Sequence, residues 1–460
     1  MSFATEMADR VATIGFDGLP LEAVHWARIG VLDMVGVTLA GSAEPCARIA
    51  ARVSASPGPA LLFGTARRVT ALDAAQVNGT ASHALDFDDC SDTLGGHPSA
   101  QVLAALFALA DTVPASGQDF LAAYVAGFEA ETRLARAVNF HHYEKGWHPT
   151  ATLGVFGAAA ACAHLLGLEP KRTATALAIA ASLASGIKSN FGTMTKPLHV
   201  GQAARNGLYA ALLAQEGFTA SDNAFEHGQG WFNVYNGAGT FFPERALADW
   251  AAPLDILVPG IAIKQYPCCG STHPAIDVMI DLATTHGLTP EMVEHVDVWT
   301  HPRRLNHTNR PDPRSELDAK FSVQYVVARA LQNRRVVLAD FEDRAHDAPA
   351  VRAIMTRLQA VPHPRMDAAS TEHFGAEIRV RLRDGRELSG QTDRPLGRGP
   401  TKPLPLPALE AKYLDCAGRV LDAGTARRGL ETIWRLDELD SVAELPRLLA
   451  AGVSSPALAH

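Results

Sequence analysis

Through the first 265 residues, apolar side chains recur at the spacing of an α-helix, and alternating patterns typical of strands are nearly absent. Residues 20–41, 118–139 and 150–167 are long runs of this kind, rich in Ala, Leu, Val and Gly. Helices this apolar need other helices to cover them. The sequence therefore predicts a large all-α domain over residues 1–265. Its other predicted helices are at 71–85, 99–114, 171–186 and 202–216.

The pattern changes in the second half of the chain. Residues 296–300 and 376–382 alternate polar and apolar side chains, as half-buried strands do. An Asp-Gly turn at 384–385 then leads into a returning strand at 387–390. These features predict a smaller α+β domain over residues 266–397. Its predicted helices are at 274–286, 322–332 and 347–358.

Helical patterning returns after a Pro-rich linker at 398–405. We expect residues 398–460 to rejoin the all-α domain, so that the α+β domain is an insertion. The expected fold class is therefore a large all-α helical domain with an inserted smaller α+β domain.

The composition excludes several classes of protein. With a net charge of −8, the chain lacks the basic balance of a nucleic-acid-binding protein. The most membrane-like window, residues 150–168, is mostly Ala and Gly and contains His164, so we expect a packed core helix and no membrane partner. No Cys-x-x-Cys pair occurs among the six cysteines, and no signal sequence is recognisable at the N-terminus. We therefore expect a reduced, cytoplasmic protein.

Residues 186–207 join two predicted helices and carry Lys188, Lys196, His199 and Arg205, but no acidic residue. Cationic groups between apolar helices cost desolvation free energy unless an anion offsets that cost. A solvated Lys/His surface is the alternative. The small, Gly-rich flanks favour burial, so we expect this stretch to bind an anionic ligand.

An acid-rich stretch places Asp86, Asp88, Asp89 and Asp92 within seven positions, shortly before His97. Three interpretations are open. The carboxylates could cap helices, or one Asp could orient a catalytic His. The last three Asp also match the DDxxD pattern that holds Mg²⁺-diphosphate in all-α isoprenoid synthases. That interpretation needs a second acidic cluster, and the nearest candidate lies in the predicted α+β domain.

Two further stretches carry side chains suited to catalysis. His148 stands at a predicted helix start, where the helix dipole lowers its pKa and keeps the ring neutral, able to act as a base or a hydrogen-bonding group. Lys264 and Tyr266 lie at the boundary between the two predicted domains, a common place for binding sites. A thiol nucleophile at Cys268 or Cys269 is a further alternative there.

Four motifs resemble those of the MmgE/PrpD family and occur in the family's order over nearly the whole chain. They are His83-Ala-Leu-Asp-Phe-Asp-Asp, Gly146-Trp-His-Pro-Thr, Asn190-Phe-Gly-Thr-Met-Thr-Lys-Pro-Leu-His-Val-Gly-Gln-Ala-Ala-Arg-Asn-Gly and Lys264-Gln-Tyr-Pro-Cys-Cys-Gly. The family includes 2-methylcitrate dehydratase, cis-aconitate decarboxylase and iminodisuccinate epimerase. The resemblance therefore specifies the family but not the reaction.

The resemblance implies a large all-α domain, a smaller α+β lid and C-terminal helices that complete the all-α domain. It also implies a homodimer, a small di- or tricarboxylate substrate, and no metal or other cofactor. Carried over by motif, the catalytic residues are Asp86, His97, His148, Lys196 and Lys264. The two lysines would clamp substrate carboxylates, and one His would move a proton while Asp86 fixes its tautomer. Further residues expected to bind substrate are Lys188, His199, Arg205 and Tyr266.

We expect the reaction to be a dehydration resembling that of 2-methylcitrate dehydratase, the family's best-known activity. Decarboxylation is an alternative, although Cys90 stands where the decarboxylase has a Thr and the spacing from Asp86 to His97 is one residue longer here. An epimerase is another alternative, with Tyr143 as the second catalytic base. Outside the family, a Mg²⁺-dependent isoprenoid-type enzyme would use the DDxxD aspartates.

Overall fold

The computed structural model describes residues 1–54, 56–366 and 375–452. The chain divides into two compact units, one formed by Met1–Ile263 with Pro405–His460 and the other by Lys264–Leu404. The boundaries predicted from the sequence lie at 265/266 and 397/398. The expectation of a mostly helical fold is confirmed.

The first unit is built almost entirely from helices, with one short antiparallel hairpin between the third and fourth. The elements up to residue 263 are α1 (Phe3–Val11), α2 (Leu21–Gly41), α3 (Pro45–Val53), β1 (Pro57–Leu61), β2 (Arg68–Val69), α4 (Ala71–Ala84), α5 (Ser99–Ala110), α6 (Gly117–Val138), α7 (His141–Lys145), α8 (Pro149–Thr152), α9 (Gly154–Leu165), α10 (Pro170–Leu183), α11 (Thr195–Gln215), α12 (Trp231–Tyr235) and α13 (Glu244–Leu247).

The second unit combines helices with a four-stranded sheet, and three helices then return to the first unit. In chain order these elements are α14 (His273–Thr285), β3 (Val293–Thr300), α15 (Pro302–Thr308), α16 (Glu316–Lys320), α17 (Val323–Asn333), α18 (Pro349–Met355), β4 (Leu358–Pro362), β5 (Ala376–Leu382), β6 (Glu387–Thr392), α19 (Leu406–Ala417), α20 (Ala423–Trp434) and α21 (Glu444–Ala451).

The sheet has the strand order β4-β3-β5-β6. Strands β5 and β6 form the predicted hairpin, and Gly385 takes a φ of 87° in its turn. Strand β3 pairs with β5 antiparallel and with β4 parallel. The sequence does not predict strand β4, because its five residues follow a helix closely and show no long alternating pattern.

Two helices of the first unit differ most from their predicted bounds, and α5 and α10 end a few residues earlier than predicted. The predicted helix at 150–167 is divided at Leu153 into α8 and α9. Helix α11 begins at Thr195, so it includes the helix start that Pro197 signals after Lys196 as well as the apolar repeat predicted at 202–216. Pro197 is tolerated there, since the N–H groups of a first helical turn have no acceptor within the helix.

Helix α2 is a core helix of the first unit. Among the described residues, α2 is the one helix that is long and apolar enough to cross a membrane. In this structure 89% of its apolar window is buried inside the protein. Its buried Asp33 pairs with Lys412 of α19 at 2.5 Å. Lys412 also donates to the carbonyl oxygen of Phe87 at 2.8 Å, so the C-terminal helices support the acid-rich loop.

Helices α4 and α11 pack unusually closely. A Cβ atom added at Gly79 would lie 2.9 Å from the Cα atom of Gly201. A Cβ atom added at Gly201 would lie 2.1 Å from the carbonyl oxygen of Gln76 and 2.3 Å from the Thr80 hydroxyl, both on α4. Glycine at both positions therefore sets the distance between the two helices.

We predict that Gly201→Ala lowers the free energy of unfolding by about 1–3 kcal/mol, because the added methyl group overpacks the contact with α4. Chemical denaturation measures this change. The matched control is Gly228→Ala, since a Cβ atom at Gly228 meets nothing within 4 Å. An equal, small effect of both substitutions would contradict the assigned role of the α4–α11 contact.

Candidate active site

The acid-rich loop leaves the end of α4 through a tight turn at Asp86. Asp86 has a φ of 54°, in the left-handed region that costs a non-glycine residue free energy. Its N–H donates to the carbonyl oxygen of His83 at 3.2 Å. This turn, together with the Lys412 contact to Phe87, directs both Asp86 and Asp88 toward the interior of the first unit.

Asp88 lies between two histidine rings. One carboxylate oxygen lies 2.8 Å from Nδ1 of His83 and 3.1 Å from Nδ1 of His97. The two rings are close to each other, with centroids 4.5 Å apart. Burial alone would raise the pKa of Asp88, but the charges and hydrogen bonds of the two histidines hold it well below its usual value. Asp88 is therefore a buried carboxylate that remains ionised.

His83 is completely buried and electrically neutral at ordinary pH. Burial, only partly opposed by Asp88, lowers its pKa to about 4. Because Asp88 accepts at Nδ1, the proton of the neutral ring is assigned to that atom. Nε2 of His83 is buried with no hydrogen-bond partner among the described residues. It is a buried basic lone pair that no described residue uses.

Lys196 pairs with the other loop carboxylate. Its Nζ atom donates to Oδ1 of Asp86 at 2.8 Å. Nε2 of His97 lies 3.8 Å from the same oxygen, beyond hydrogen-bond length. The loop and the first turn of α11 thus place an ammonium group, an imidazole and two carboxylates side by side, mostly shielded from solvent.

His148 lies beside this group at the start of α8. Its backbone N–H donates to the carbonyl oxygen of Gly186, and Nδ1 lies 3.2 Å from Nδ1 of His199. The ring contacts Phe191 edge-on, with centroids 4.8 Å apart. The pKa of His148 is held well below its usual value, mainly by burial and then by nearby positive groups, Lys196 among them. The predicted neutrality is thus supported, with burial as the main cause.

His142, a buried residue with no role predicted from the sequence, supports the start of α8. Nε2 of His142 lies 2.7 Å from the Thr152 hydroxyl, and Nδ1 lies 2.9 Å from Oδ1 of Asn236. The Thr152 hydroxyl also lies 3.0 Å from the carbonyl oxygen of His148. Burial lowers the pKa of His142 to about 4, so this ring also stays neutral. His142 therefore positions the backbone that carries His148.

Other predicted residues of the first unit have partners of their own. Lys188 lies over the Tyr143 ring, 3.3 Å from its centroid, and donates to the Tyr143 carbonyl oxygen. Arg205 pairs with Asp73 of α4 at 3.0 Å. These contacts place Lys188 with Tyr143 and hold α11 to α4. Their roles toward a substrate stay predictions.

Lys264 and Tyr266 belong to the second unit. There the Tyr266 hydroxyl donates to Oδ1 of Asp277 at 2.6 Å, and Asp277 also accepts from the backbone N–H of Leu396 at 2.8 Å. The predicted part of Lys264 and Tyr266 in substrate binding stays a prediction.

The three aspartates of the DDxxD pattern point in different directions. Asp88 faces the histidines, whereas Asp89 accepts from the hydroxyl and N–H of Ser99. Asp92 is exposed. These aspartates therefore do not converge on one cation. The side chains that could hold a metal are a different set, with ligand atoms within 4.8 Å of one another. They are His83, Asp86, Asp88 and His97.

The sequence predicts that these residues lie together, but it does not identify Asp88 as the carboxylate between the two histidines. It gave Asp86 the role of orienting a histidine, whereas Asp88 lies against both rings and Asp86 pairs with Lys196. His83 was part of a motif but received no role. The spacing of five residues between His83 and Asp88, across a helix end, is the signal that could have identified the pair.

Both parts of the chain match a known family. Residues 5–243 match the MmgE/PrpD N-terminal domain, and residues 266–438 match the MmgE/PrpD C-terminal domain. The chain is 31% identical to the cis-aconitate decarboxylase of Homo sapiens, over 93% of this chain and 90% of that protein. It is 26% identical to the cis-aconitate decarboxylase of Aspergillus terreus, over 98% and 96% of the two chains.

A more distant relative is the mitochondrial 2-methylcitrate dehydratase of Yarrowia lipolytica, 23% identical over 85% of this chain and 79% of that protein.

The fold and the buried His/Asp/Lys cluster are thus those of a two-part, mostly helical enzyme. The chain belongs to the MmgE/PrpD family. The prediction of a lyase of this family is confirmed. The isoprenoid-type alternative is wrong, as the family match and the diverging aspartates both indicate.

Asp89 is buried next to the site and accepts hydrogen bonds from Ser99, and its protonation can be tested through the stability of the protein. Burial and the charge of Asp33 raise its pKa from 3.8 to about 7. Between these values the folded state holds one more proton than the unfolded state, so the free energy of unfolding falls as pH rises. Above about pH 7 the loss is complete, because Asp89 is then ionised in both states.

We predict that Asp89→Asn, which mimics the protonated acid, stabilises the protein by about 1–3 kcal/mol at pH 8 and has little effect near pH 5. Denaturation of both proteins across this pH range measures the difference. Asp222→Asn, in an exposed turn, serves as control and should show no such trend. A stability difference that does not grow with pH would contradict the assigned protonation of Asp89.

Proposed function

We propose that this chain is a cofactor-independent lyase that decarboxylates a small tricarboxylate of the cis-aconitate type. The observation that carries the proposal is the buried cluster in which His97 faces two carboxylates while Lys196 lies beside one of them. Such a cluster can supply a proton and stabilise a developing negative charge. Support also comes from the relatives, because those named decarboxylases are more similar than the one named dehydratase.

This proposal reverses the order of preference drawn from the sequence. In the sequence, two features argued against decarboxylation: Cys90 in place of a Thr, and the longer spacing between Asp86 and His97. In the structure, the Cys90 sulfur lies 4.0 Å from Nδ1 of His97, and Asp88 contacts that same nitrogen. The departures therefore leave the His97 ring held beside the two carboxylates, and they no longer argue against decarboxylation.

The chemistry requires one proton and a place for negative charge. In an unsaturated tricarboxylate, one carboxylate is attached to the carbon next to the double bond. When that C–C bond breaks, CO₂ leaves and its electron pair enters the allyl system, placing charge beside a remaining carboxylate. A proton then adds at the far end of the allyl system. Tricarboxylate and one proton thus give CO₂ and a methylene-substituted dicarboxylate.

His97 is the proposed proton donor. The ionised Asp88 and the nearby Asp86 both stabilise an additional proton on its ring. His148 is proposed to act as a neutral hydrogen-bonding group, because burial disfavours its charged form. This division of roles follows a general rule: where the environments of two titratable groups shift their pKa values in opposite directions, one group acts as the acid and the other stays neutral.

Lys196 is the proposed carboxylate clamp. Its ammonium group would move from Asp86 toward a substrate carboxylate and stabilise the charge that develops beside it. We extend the proposal to the second unit as a lid that brings Lys264 and Tyr266 to the substrate. A homodimer in the cytoplasm completes the proposal.

Dehydration of a hydroxy-tricarboxylate is the second candidate, favoured by the similarity to 2-methylcitrate dehydratase. It would use the same cluster, with His148 or Nε2 of His83 removing a proton next to a carboxylate. The two reactions differ in what leaves the substrate, since one releases CO₂ and the other releases water.

The test is incubation of the purified full-length protein with cis-aconitate in D₂O, with EDTA present. We predict one CO₂ per substrate consumed and one deuterium per product molecule, on the carbon that carried the vinyl hydrogen. Gas detection and NMR measure these. Lys196→Ala should lower the rate about 100-fold or more, since it removes a preorganised charge from the site. Lys171→Ala, at an exposed helix position, should leave it unchanged.

Other outcomes would indicate a different reaction or overturn part of the proposed mechanism. Addition or loss of water without CO₂ would favour the dehydratase, and deuterium exchange without either product would favour an epimerase. Loss of activity in EDTA, restored by a divalent cation, would overturn the cofactor-independent mechanism. Equal rates for Lys196→Ala and Lys171→Ala would overturn the role of Lys196.

A further inference from the structure

The His148 ring has a partner on α11 to which the mechanism above gives no part. Nδ1 of His148 lies 3.2 Å from Nδ1 of His199, a hydrogen-bond distance between two ring nitrogens. His199 follows Lys196 by three residues, so one face of α11 carries both side chains. His148 is buried, whereas His199 is partly exposed. We call these two rings the histidine pair.

Contacts on several sides fix the geometry of the histidine pair. The backbone N–H of His148 donates to the carbonyl oxygen of Gly186 at 3.0 Å. Gly186 also packs against the other ring, since a Cβ atom there would lie 3.3 Å from Cγ and 3.4 Å from Nδ1 of His199. The His148 ring meets Phe191 edge-on. The two Nδ1 atoms are therefore held opposite each other by packing as well as by their own hydrogen bond.

Both rings of the histidine pair are neutral above pH 7. Burial, followed by nearby positive groups, holds the pKa of His148 well below its usual value. Burial and then the charge of Lys196 lower the pKa of His199 as well. A neutral imidazole carries one N–H group and one bare nitrogen, and its partners decide which nitrogen holds the proton.

Two neutral rings in this arrangement share one proton between their Nδ1 atoms. Two bare nitrogens at this distance would repel each other through their lone pairs, and two N–H groups would bring their hydrogen atoms into contact. One Nδ1 must therefore donate while the other accepts, so the two rings take opposite tautomers. Whether Nε2 of His148 carries a proton is thereby decided at His199.

We propose that His199 is a positioning residue that fixes the tautomer of His148 through this single shared proton. If His199 donates, His148 keeps its proton on Nε2 and can donate a hydrogen bond to the substrate. If His148 donates, its Nε2 is bare and can act as a base. The lyase reaction proposed above, on which this assignment rests, needs the donor. The shared proton is therefore assigned to Nδ1 of His199.

This task differs from the one predicted from the sequence, in which His199 binds the substrate directly. The two tasks have different kinetic signatures. Removing a side chain that only binds substrate raises KM and leaves kcat unchanged. Removing a side chain that only positions His148 lowers kcat and leaves KM nearly unchanged, because the hydrogen bond from His148 is needed most in the transition state.

The first test compares the initial rates of CO₂ release from cis-aconitate by three variants. His199→Leu removes the shared proton and should lower kcat about tenfold or more, with KM within about threefold of the wild-type value. His199→Asn should recover most of kcat, because an Asn amide N–H can take the place of Nδ1–H. His286→Leu, at an exposed position of the second unit, is the matched control and should leave both constants unchanged.

The second test measures the tautomers directly and needs no substrate. ¹⁵N NMR of protein labelled at its histidine nitrogens distinguishes a protonated ring nitrogen from a bare one. Difference spectra against His148→Gln and His199→Leu assign the signals of the pair. We expect Nε2–H on His148 and Nδ1–H on His199 in the wild type, and a mixture of both His148 tautomers in His199→Leu.

Several outcomes would overturn the proposal. They are the same tautomer in both rings, an unchanged His148 tautomer in a folded His199→Leu variant, or a rise in KM with kcat unchanged, which would assign His199 to substrate binding. Nδ1–H on His148 with a bare Nδ1 on His199 would support the shared proton but overturn the donor role of His148 in the lyase. If cis-aconitate is not decarboxylated at all, the proposed function fails and the NMR spectra still decide the role of His199. Thermal unfolding of each variant verifies that it is folded.

Discussion

The structure of the candidate site depends on one buried carboxylate that stays charged. Asp88 is enclosed in the first unit and lies against Nδ1 of both His83 and His97. A buried charge is tolerated only where hydrogen bonds and partner charges offset its desolvation. By accepting from both rings, Asp88 fixes their orientation and directs their Nε2 atoms away from itself. The chemistry proposed for the site requires this arrangement.

Distant parts of the chain hold this carboxylate in place. The close contact of α4 with α11 brings the helix that carries His83 to the helix that carries Lys196. Lys412, from beyond the second unit in sequence, donates to the carbonyl oxygen between Asp86 and Asp88. The return of the C-terminal helices to the first unit is thus part of how the site is built.

Periodicity predicted the longer helices and three of the four strands of the sheet, because burial imposes a repeat that the sequence records, whereas short helices such as α7, α12 and α13 show too few turns for a repeat. It did not predict the start of α11, which only the Pro197 start signal indicated. Nor could it distinguish Asp86 from Asp88, since the left-handed backbone at Asp86 decides which carboxylate meets the rings. The family resemblance supplied Asp86, His97 and Lys196, whereas the parts of His83 and Asp88 and the pairings within the cluster came only from the structure.

The most direct test of the central role of Asp88 is the initial rate of CO₂ release from cis-aconitate by two variants. Asp88→Asn removes the charge that orders the two rings, and Asp92→Asn makes the same chemical change at an exposed position of the same loop. We predict a loss of about 100-fold or more for Asp88→Asn and a rate near that of the wild type for Asp92→Asn. A folded Asp88→Asn variant that releases CO₂ at the wild-type rate would contradict it.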